Sequence, residues 1–195
     1  MCATIAAGSA EPSGVRAWPS VPRILLRGRP GVGKTTVVAR LAERLRAEGV
    51  AVAGFLTREV RAGAARRGFL VESFDGRRAV LADVRIPGPV RVGKYGVDVA
   101  AFERIALPAL EEAPPGAVVL VDELGKMELA SERFRAAVGA LLERPLPVVA
   151  TVHVHRHPFT DALATRPGVE VLEVTPGNRD RLPEELAARL QRSSG

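Results

Sequence analysis

The sequence predicts an α/β domain whose mostly parallel β-sheet is covered by helices on both faces. Three observations predict it. Short apolar segments of strand length alternate along the chain with segments in which apolar residues recur at helical spacing. A glycine-rich stretch joins the first strand to the first helix. The length of 195 residues, 47% of them hydrophobic, suits one domain with its own buried core.

The pattern assigns each element in order from residue 23. Strands are predicted where apolar runs are bounded by charged residues or glycine, and helices where apolar residues recur every three or four positions. Gly49 ends the first helix, and Asp75 with Gly76 is typical of a tight hairpin turn. That hairpin is an antiparallel insertion in the sheet. The predicted order is strand 23–27, helix 34–48, strand 50–59, strands 67–73 and 77–84, helix 99–112, strand 117–121, helix 131–143, strands 147–154 and 169–175, and helix 183–191.

Composition excludes several classes of protein. A single cysteine, Cys2, rules out an internal disulfide framework and a cysteine-built zinc site, and it suits a reducing cytoplasm. Apolar runs end well before the ~20 residues that a membrane span needs, so we expect a soluble, cytoplasmic protein with no membrane partner. Residues 1–22 are rich in Ala, Ser, Gly and Pro, and we expect a poorly ordered leader without a targeting signal, followed by one domain at 23–195.

The charge of the chain points to an anionic ligand. The net charge is +6 and the isoelectric point is near 10.6, values that suit nucleic acid or nucleotides. Only three of the 28 basic residues are lysine: Lys34, Lys94 and Lys126. Because arginine is the default cation here, each lysine is a candidate for chemistry that needs a compact ammonium group.

The glycine-rich stretch is a candidate phosphate-binding loop. Residues 28–35, GRPGVGKT, fit the Walker A pattern in its strand-to-helix context. Its backbone amides and the positive end of the helix dipole would converge on a polyphosphate, with Lys34 at the β- and γ-phosphates and Thr35 as a Mg²⁺ ligand. The predicted nucleotide-binding residues are Gly28, Arg29, Pro30, Gly31, Val32, Gly33, Lys34, Thr35 and Thr36, with Asn178 and Arg179 beside the base or ribose. Asn178 has the alternative role of a helix N-cap.

A second acidic motif completes the candidate site. Residues 118–123, VVLVDE, form an apolar strand that ends in two acids, as in a Walker B element. Asp122 suits a Mg²⁺ contact, and Glu123 suits a base that accepts a proton from the attacking water. A base fixed in the site favours hydrolysis over a slow GTP switch, and no Asn-Lys-x-Asp guanine-reading element follows.

Several sequence blocks stand out beyond the Walker motifs. They are GFLTRE at 54–59, RGF at 67–69, VGKYGVD at 92–98, DELGKMEL at 122–129, ATV at 150–152, and Thr175 with Asn178, Arg179 and Asp180. In order from residue 23 to the final helix, these blocks resemble the THEP-type nucleoside-triphosphatases, a family that includes the cancer-related nucleoside-triphosphatase. The resemblance implies a three-layer P-loop core of the RecA/AAA-like kind and Mg²⁺-dependent hydrolysis of ATP, GTP, CTP and UTP to the diphosphate and phosphate, with little base discrimination.

Cations outside the P-loop are further catalytic candidates. Lys126 either reaches the phosphates or holds Glu123, with a solvated lysine at a helix start as the alternative. Lys94 lies among glycines on a predicted loop that either closes over the nucleotide or is an exposed turn. Six arginines surround the second strand and the hairpin, and Arg58 at the strand end is the first choice for an arginine finger. The predicted catalytic residues are Glu123, Lys34, Arg58 and Lys126.

The three histidines alternate at the end of the strand predicted at 147–154. If the strand continued, His153, His155 and His157 would share one face and suggest a zinc site. Pro158 favours a solvated, irregular loop instead. Thr151 and His153 are candidates for a polar group that senses the γ-phosphate.

Two other functions remain open at this stage. A nucleotide or nucleoside kinase would use the arginine-rich hairpin as a lid and an acceptor hydroxyl in place of water. A nucleic-acid-binding module switched by NTP hydrolysis would explain the basic isoelectric point. Aromatic residues for stacking are sparse near the hairpin, so nucleic acid is the less favoured partner. The sequence does not determine an oligomeric state.

Overall fold

The structure, a computed structural model, describes residues 21–191. Residues 1–20, which contain most of the predicted leader, lie outside the described residues. The elements are β1 (Arg23–Gly28), α1 (Lys34–Ala47), β2 (Val52–Ala62), β3 (Ala65–Ser73), β4 (Arg78–Asp83), β5 (Arg91–Val92), β6 (Tyr95–Val97), α2 (Val99–Glu111), β7 (Val118–Leu124), a short 3-10 helix (Glu128–Ala130), α3 (Glu132–Leu141), β8 (Val148–His153), α4 (Pro158–Ala164), β9 (Val169–Glu173) and α5 (Leu182–Gln191).

All nine strands belong to one sheet in the order β5-β6-β4-β3-β2-β7-β8-β1-β9. In this spatial order, the neighbours β2, β7, β8, β1 and β9 pair in parallel. The neighbours β2, β3, β4, β6 and β5 pair antiparallel. The strand β8 lies between β1 and β7, and all three end at the same edge of the sheet. This order therefore brings the glycine-rich loop after β1 and the acids at the end of β7 to one crevice.

Apolar side chains alternate between two buried layers. Along β1, Ile24 and Leu26 pack in the core beneath α1 and α5, whereas Leu25 packs in the core beneath α2 and α3. Burial on both faces is the reason that the central parallel strands contain continuous apolar runs, at 24–26, 118–121 and 148–150. The α2 side contains a cluster of three phenylalanines, Phe55, Phe102 and Phe134, whose ring centroids lie 4.9 to 5.7 Å apart. The mixed α/β sheet with helices on both faces confirms the predicted fold class.

The antiparallel part of the sheet is larger than predicted. The strand β2 continues to Ala62 and returns as β3 through a turn at Gly63, so another hairpin precedes the one predicted at Asp75. The segment around Lys94, predicted as a loop, contains the short pair β5 and β6. Both turns use glycine with positive φ, 60° at Gly63 and 58° at Gly93. The sequence pattern does not predict these two turns, because few apolar side chains alternate in the strands beside them.

The loop predicted around Pro158 is wrong, because α4 begins at that residue. The ring of His157 accepts a hydrogen bond from the amide of Phe159 at 3.2 Å and caps the helix. Proline suits this first helical position because its missing N–H needs no partner there. The strand β8 ends at His153, so the three histidines do not share a strand face. Among residues 21–191, no helix has the length and apolar character needed to cross a bilayer.

Gly54 is required where β2 approaches β7. Its φ is 98°, and a Cβ there would lie 1.9 Å from the Leu120 carbonyl oxygen. We predict that Gly54→Ala lowers the free energy of unfolding by more than about 2 kcal/mol, because both the backbone conformation and the strand spacing must change. Urea denaturation measures this effect. The matched control is Gly139→Ala in α3, where no atom lies within 4 Å of the added Cβ and a neutral or stabilising change of up to ~1 kcal/mol is expected. Equal midpoints for the two variants would contradict the prediction.

Candidate active site

The loop between β1 and α1 has the geometry of an anion-binding site. Gly31 and Gly33 have φ values of 74° and 111°, conformations that favour glycine. Gly33 is the N-cap of α1 and has no side chain to bond the first turn. The amides of that turn therefore face outward at the positive end of the helix dipole, where an anion binds favourably. Most loop residues, including Thr35 and Thr36, are exposed at the crevice.

Lys34 links this loop to the end of β7. Its ammonium donates a hydrogen bond to the Gly28 carbonyl at 3.0 Å and lies 3.7 Å from Glu123 Oε2. The lysine side chain is only 7% exposed, whereas the Glu123 side chain is 33% exposed. The structure therefore brings the P-loop lysine and the predicted base together, with the carboxylate open to the crevice.

Asp122 is buried beneath the same crevice. Its Oδ1 accepts a hydrogen bond from Thr151 Oγ1 at 2.7 Å, across the neighbouring strand β8. Burial raises the pKa of Asp122 to about 6, and the charge of Glu123 adds to the shift, while the hydroxyls of Thr151 and Thr35 and the charge of Lys34 oppose it. Burial disfavours the ionised form of Asp122, so a nearby cation would stabilise it. A carboxylate and a threonine hydroxyl are also hard oxygen donors, the kind of ligand that suits Mg²⁺.

Glu128 is a buried acid that the sequence analysis did not single out. It begins the short 3-10 helix, is 3% exposed, and accepts a hydrogen bond from Thr57 Oγ1 of β2 at 3.4 Å. Burial raises the pKa of Glu128 to about 8, and the negative charges of Glu123 and Asp122 contribute. Its position in the DELGKMEL block could have marked Glu128 as a site residue. The apolar pattern of the sequence, however, does not predict that this glutamate is buried.

Two predicted catalytic cations lie at the margin of the site. Lys126 is exposed just after β7. Burial of His153, together with the positive charges of His155, Lys34 and Lys126, lowers the pKa of that histidine.

Arg58 is 56% exposed and forms an ion pair with Glu72 of β3 at 2.8 Å. It lies two residues beyond Leu56, the partner of Asp122 in the β2–β7 register. The catalytic roles of Lys126 and Arg58 stay predictions.

The segment after β9 lies against the P-loop. Arg179 donates a hydrogen bond to the Val32 carbonyl at 3.2 Å, and its Cδ would touch a Cβ at Gly33. The Asn178 side chain accepts from the Thr175 amide and donates to the Glu173 carbonyl, both at 2.8 Å. Arg179 is therefore next to the nucleotide-binding loop, whereas both polar groups of Asn178 already bond the backbone.

The histidines at the end of β8 have local partners. The rings of His153 and His155 stack with centroids 4.5 Å apart, and His153 Nδ1 accepts a hydrogen bond from the His155 amide. His157 caps α4. Within residues 21–191, no three His, Cys, Asp or Glu side chains are grouped to hold a metal ion. The structure therefore gives no support to the three-histidine zinc site.

The strand order and the loop geometry define a three-layer α/β domain of the P-loop class. A family model described as NTPase matches residues 23–187. The chain is 39% identical to the nucleoside-triphosphatase THEP1 of Thermotoga petrophila over 174 residues, which are 89% of this chain and 95% of the relative.

Solved structures agree with this result. The crystal structure of THEP1 from Aquifex aeolicus has a TM-score of 0.79 at 38% identity and covers 87% of this chain and 99% of its own. The solution structure of a human cancer-related nucleoside triphosphatase has a TM-score of 0.78 at 38% identity, covering 89% and 99%. The chain belongs to the THEP1 family of nucleoside-triphosphatases, as its sequence blocks indicated, and the predicted P-loop core is confirmed.

The buried Glu128 predicts how stability changes with pH. Its pKa is about 8 in the folded protein and ~4.3 in an unfolded chain. The neutral carboxyl therefore contributes stability that is fully present below pH ~4.3 and is lost as the pH rises through 8. We predict that the free energy of unfolding falls more steeply over this range in the wild type than in Glu128→Gln, which cannot ionise.

Urea denaturation at a series of pH values, without nucleotide or divalent metal, measures the difference between the two proteins. Glu132→Gln is the control, because the Glu132 side chain is 90% exposed, and it should keep the wild-type slope. Parallel curves for the wild type and Glu128→Gln would contradict the prediction.

Proposed function

We propose that this nucleoside-triphosphatase carries out Mg²⁺-dependent hydrolysis of nucleoside 5′-triphosphates to the diphosphate and phosphate, with broad tolerance of the base. The observation that carries the proposal is the position of the Lys34 ammonium, 3.0 Å from the Gly28 carbonyl and 3.7 Å from Glu123. The P-loop lysine and a partly exposed carboxylate thus border the same space. A triphosphate held by the lysine would present its terminal phosphate to that carboxylate.

The phosphate chain would be held by the loop and by Lys34. The uncapped first turn of α1 offers backbone amides to the phosphate oxygens, and the lysine offsets their negative charge. When nucleotide binds, the Lys34 ammonium would contact phosphate oxygens instead of the Gly28 carbonyl and the Glu123 carboxylate. Thr36, exposed on the same turn, is a further candidate contact.

Thr35 and Asp122 are the residues that would hold Mg²⁺. The metal neutralises charge on the β- and γ-phosphate oxygens when it is bound. Asp122 prepares for it in two ways. The hydrogen bond from Thr151 fixes the orientation of the carboxylate, and burial makes a partner cation favourable for the ionised form.

Glu123 is the proposed general base. Its carboxylate accepts a proton from water as the water oxygen bonds to the γ-phosphorus, and the bond to the bridging oxygen breaks, so the diphosphate leaves with the electron pair. In the absence of substrate, Lys34 holds the carboxylate beside the P-loop. Hydrolysis rather than transfer is the proposal because this carboxylate opens to the crevice.

The residues near the P-loop support broad base tolerance. The Asn178 side chain bonds the backbone through both its oxygen and its nitrogen, so the turn sets its orientation. Arg179 lies beside Gly33 and offers a planar guanidinium that stacks on any base. Stacking without hydrogen-bonded readout discriminates little between purines and pyrimidines.

The role of Glu123 has a direct test. We predict that Glu123→Gln lowers kcat by at least ~100-fold while Mg²⁺-nucleotide affinity stays near the wild-type value, because the base is lost and the phosphate contacts remain. Steady-state phosphate release and calorimetry measure the two quantities. Lys34→Ala is the matched comparison and should weaken both affinity and turnover. Wild-type turnover in Glu123→Gln would remove the proposed base.

The substrate range is tested by phosphate release from ATP, GTP, CTP and UTP, with Mg²⁺ or with EDTA. We expect kcat/KM values within about tenfold of one another, because stacking is the main contact with the base, and no release in EDTA. Parallel reactions contain nucleoside and nucleotide acceptors or RNA. Phosphorylated acceptor in place of free phosphate would indicate a kinase, and strong salt-sensitive stimulation by RNA would indicate a nucleic-acid module.

A further inference from the structure

Glu128 is a buried carboxyl group that the proposed hydrolysis does not use. It lies six residues after Asp122, at the start of the 3-10 helix that follows β7. Burying a carboxyl group costs free energy, and here two other acids lie nearby, so an apolar residue would be less costly. The contacts of Glu128 indicate what the group does.

Glu128 is fixed from two directions. Thr57 of β2 donates its hydroxyl hydrogen bond to Glu128 Oε1 at 3.4 Å. On the other side, the amide of Leu129 bonds the Gly125 carbonyl at 2.9 Å, and the Ser131 amide bonds the Glu128 carbonyl at 3.1 Å. These backbone bonds hold the turn that carries Glu128 against the end of β7. The carboxyl group therefore has a defined position.

The carboxyl groups of Glu123 and Glu128 both border the space over Gly125. A Cβ at Gly125 would lie 2.8 Å from Glu128 Oε2 and 2.9 Å from Glu123 Oε1. One methyl group at this position would thus touch both carboxyl groups. The φ of Gly125 is not positive, so the crowding, and not the backbone conformation, sets the need for glycine.

We propose that Glu128 is a positioning residue that orients the Glu123 carboxylate for hydrolysis through the space over Gly125. The inference rests on the proposed role of Glu123 as the base. Oε2 of Glu128 faces that space, while Oε1 is held by Thr57. Glu128 itself does not touch the nucleotide in this scheme.

The protonation state of Glu128 supports this arrangement. Burial and the charge of Glu123 raise the pKa of Glu128 to about 8, so its carboxyl group carries a proton at neutral pH. A neutral acid beside Glu123 avoids repulsion between two carboxylates. Glutamine has nearly the same shape and is also neutral, so it should replace Glu128 well.

The test compares Glu128→Ala, Glu128→Gln and Thr57→Val by phosphate release, with nucleotide affinity and thermal unfolding measured on the same samples. We expect Glu128→Ala to lower kcat about tenfold without changing KM, Glu128→Gln to stay within about threefold of wild type, and Thr57→Val to lie between them. Glu132→Ala, the exposed control, should match wild type.

Each variant is also made together with Glu123→Gln. If Glu128 acts through Glu123, Glu128→Ala and Thr57→Val should lower kcat no further in that background, whereas a purely structural role would lower it by the same factor again. Thr57→Val removes only one hydroxyl and keeps the test valid if the alanine variant does not fold.

Three results would overturn the inference: unchanged kcat in Glu128→Ala and Thr57→Val, equal losses in the alanine and glutamine variants, or additive losses with Glu123→Gln. If Glu123→Gln alone kept wild-type turnover, the proposed function would fail first. The two failures are therefore distinguishable.

Discussion

The site depends on one constraint, the common edge at which the parallel strands β1, β8 and β7 end. Because β1 leads into the P-loop and β7 ends in two acids, the sheet sets the distance between them. A single side chain, Lys34, then reaches from the helix start to Glu123. The buried apolar layers on both faces hold this edge in place, so the active-site geometry rests on the hydrophobic cores.

Three acidic side chains lie at this edge of the sheet, and they differ in burial and in the groups beside them. Asp122 and Glu128 are both buried, and burial raises the pKa of each toward or above neutrality. Glu123 is more exposed and lies beside Lys34. Three acids in one small region therefore differ in environment, and this difference supports the separate roles proposed for them as metal ligand, base and neutral neighbour. Their hydroxyl partners, Thr151 and Thr57, come from the strands on either side of β7.

Much of the fold was predictable because apolar periodicity and glycine spacing are local signals. The P-loop, the first helix and the Walker B strand lie close to the predicted bounds. The errors have two physical causes. The helix at Pro158 depends on a cap from His157. The turns at Gly63 and Gly93 join strands with mixed polarity, where pairing with neighbouring strands, and not the local pattern, decides the structure.

The sequence by itself determined the chemistry of this protein: a lysine in a glycine loop, two acids after an apolar strand, and the family to which the blocks belong. These features are local, so they can be read from spacing alone. Only the tertiary structure decided the environments. It brought Thr151 within hydrogen-bond distance of Asp122, and Arg179 within that distance of the P-loop backbone. It also placed the Glu128 carboxyl group beside the Thr57 hydroxyl and the space over Gly125. Burial and contacts between residues far apart in the chain arise only when the strands pair, and they set the environment of each acid.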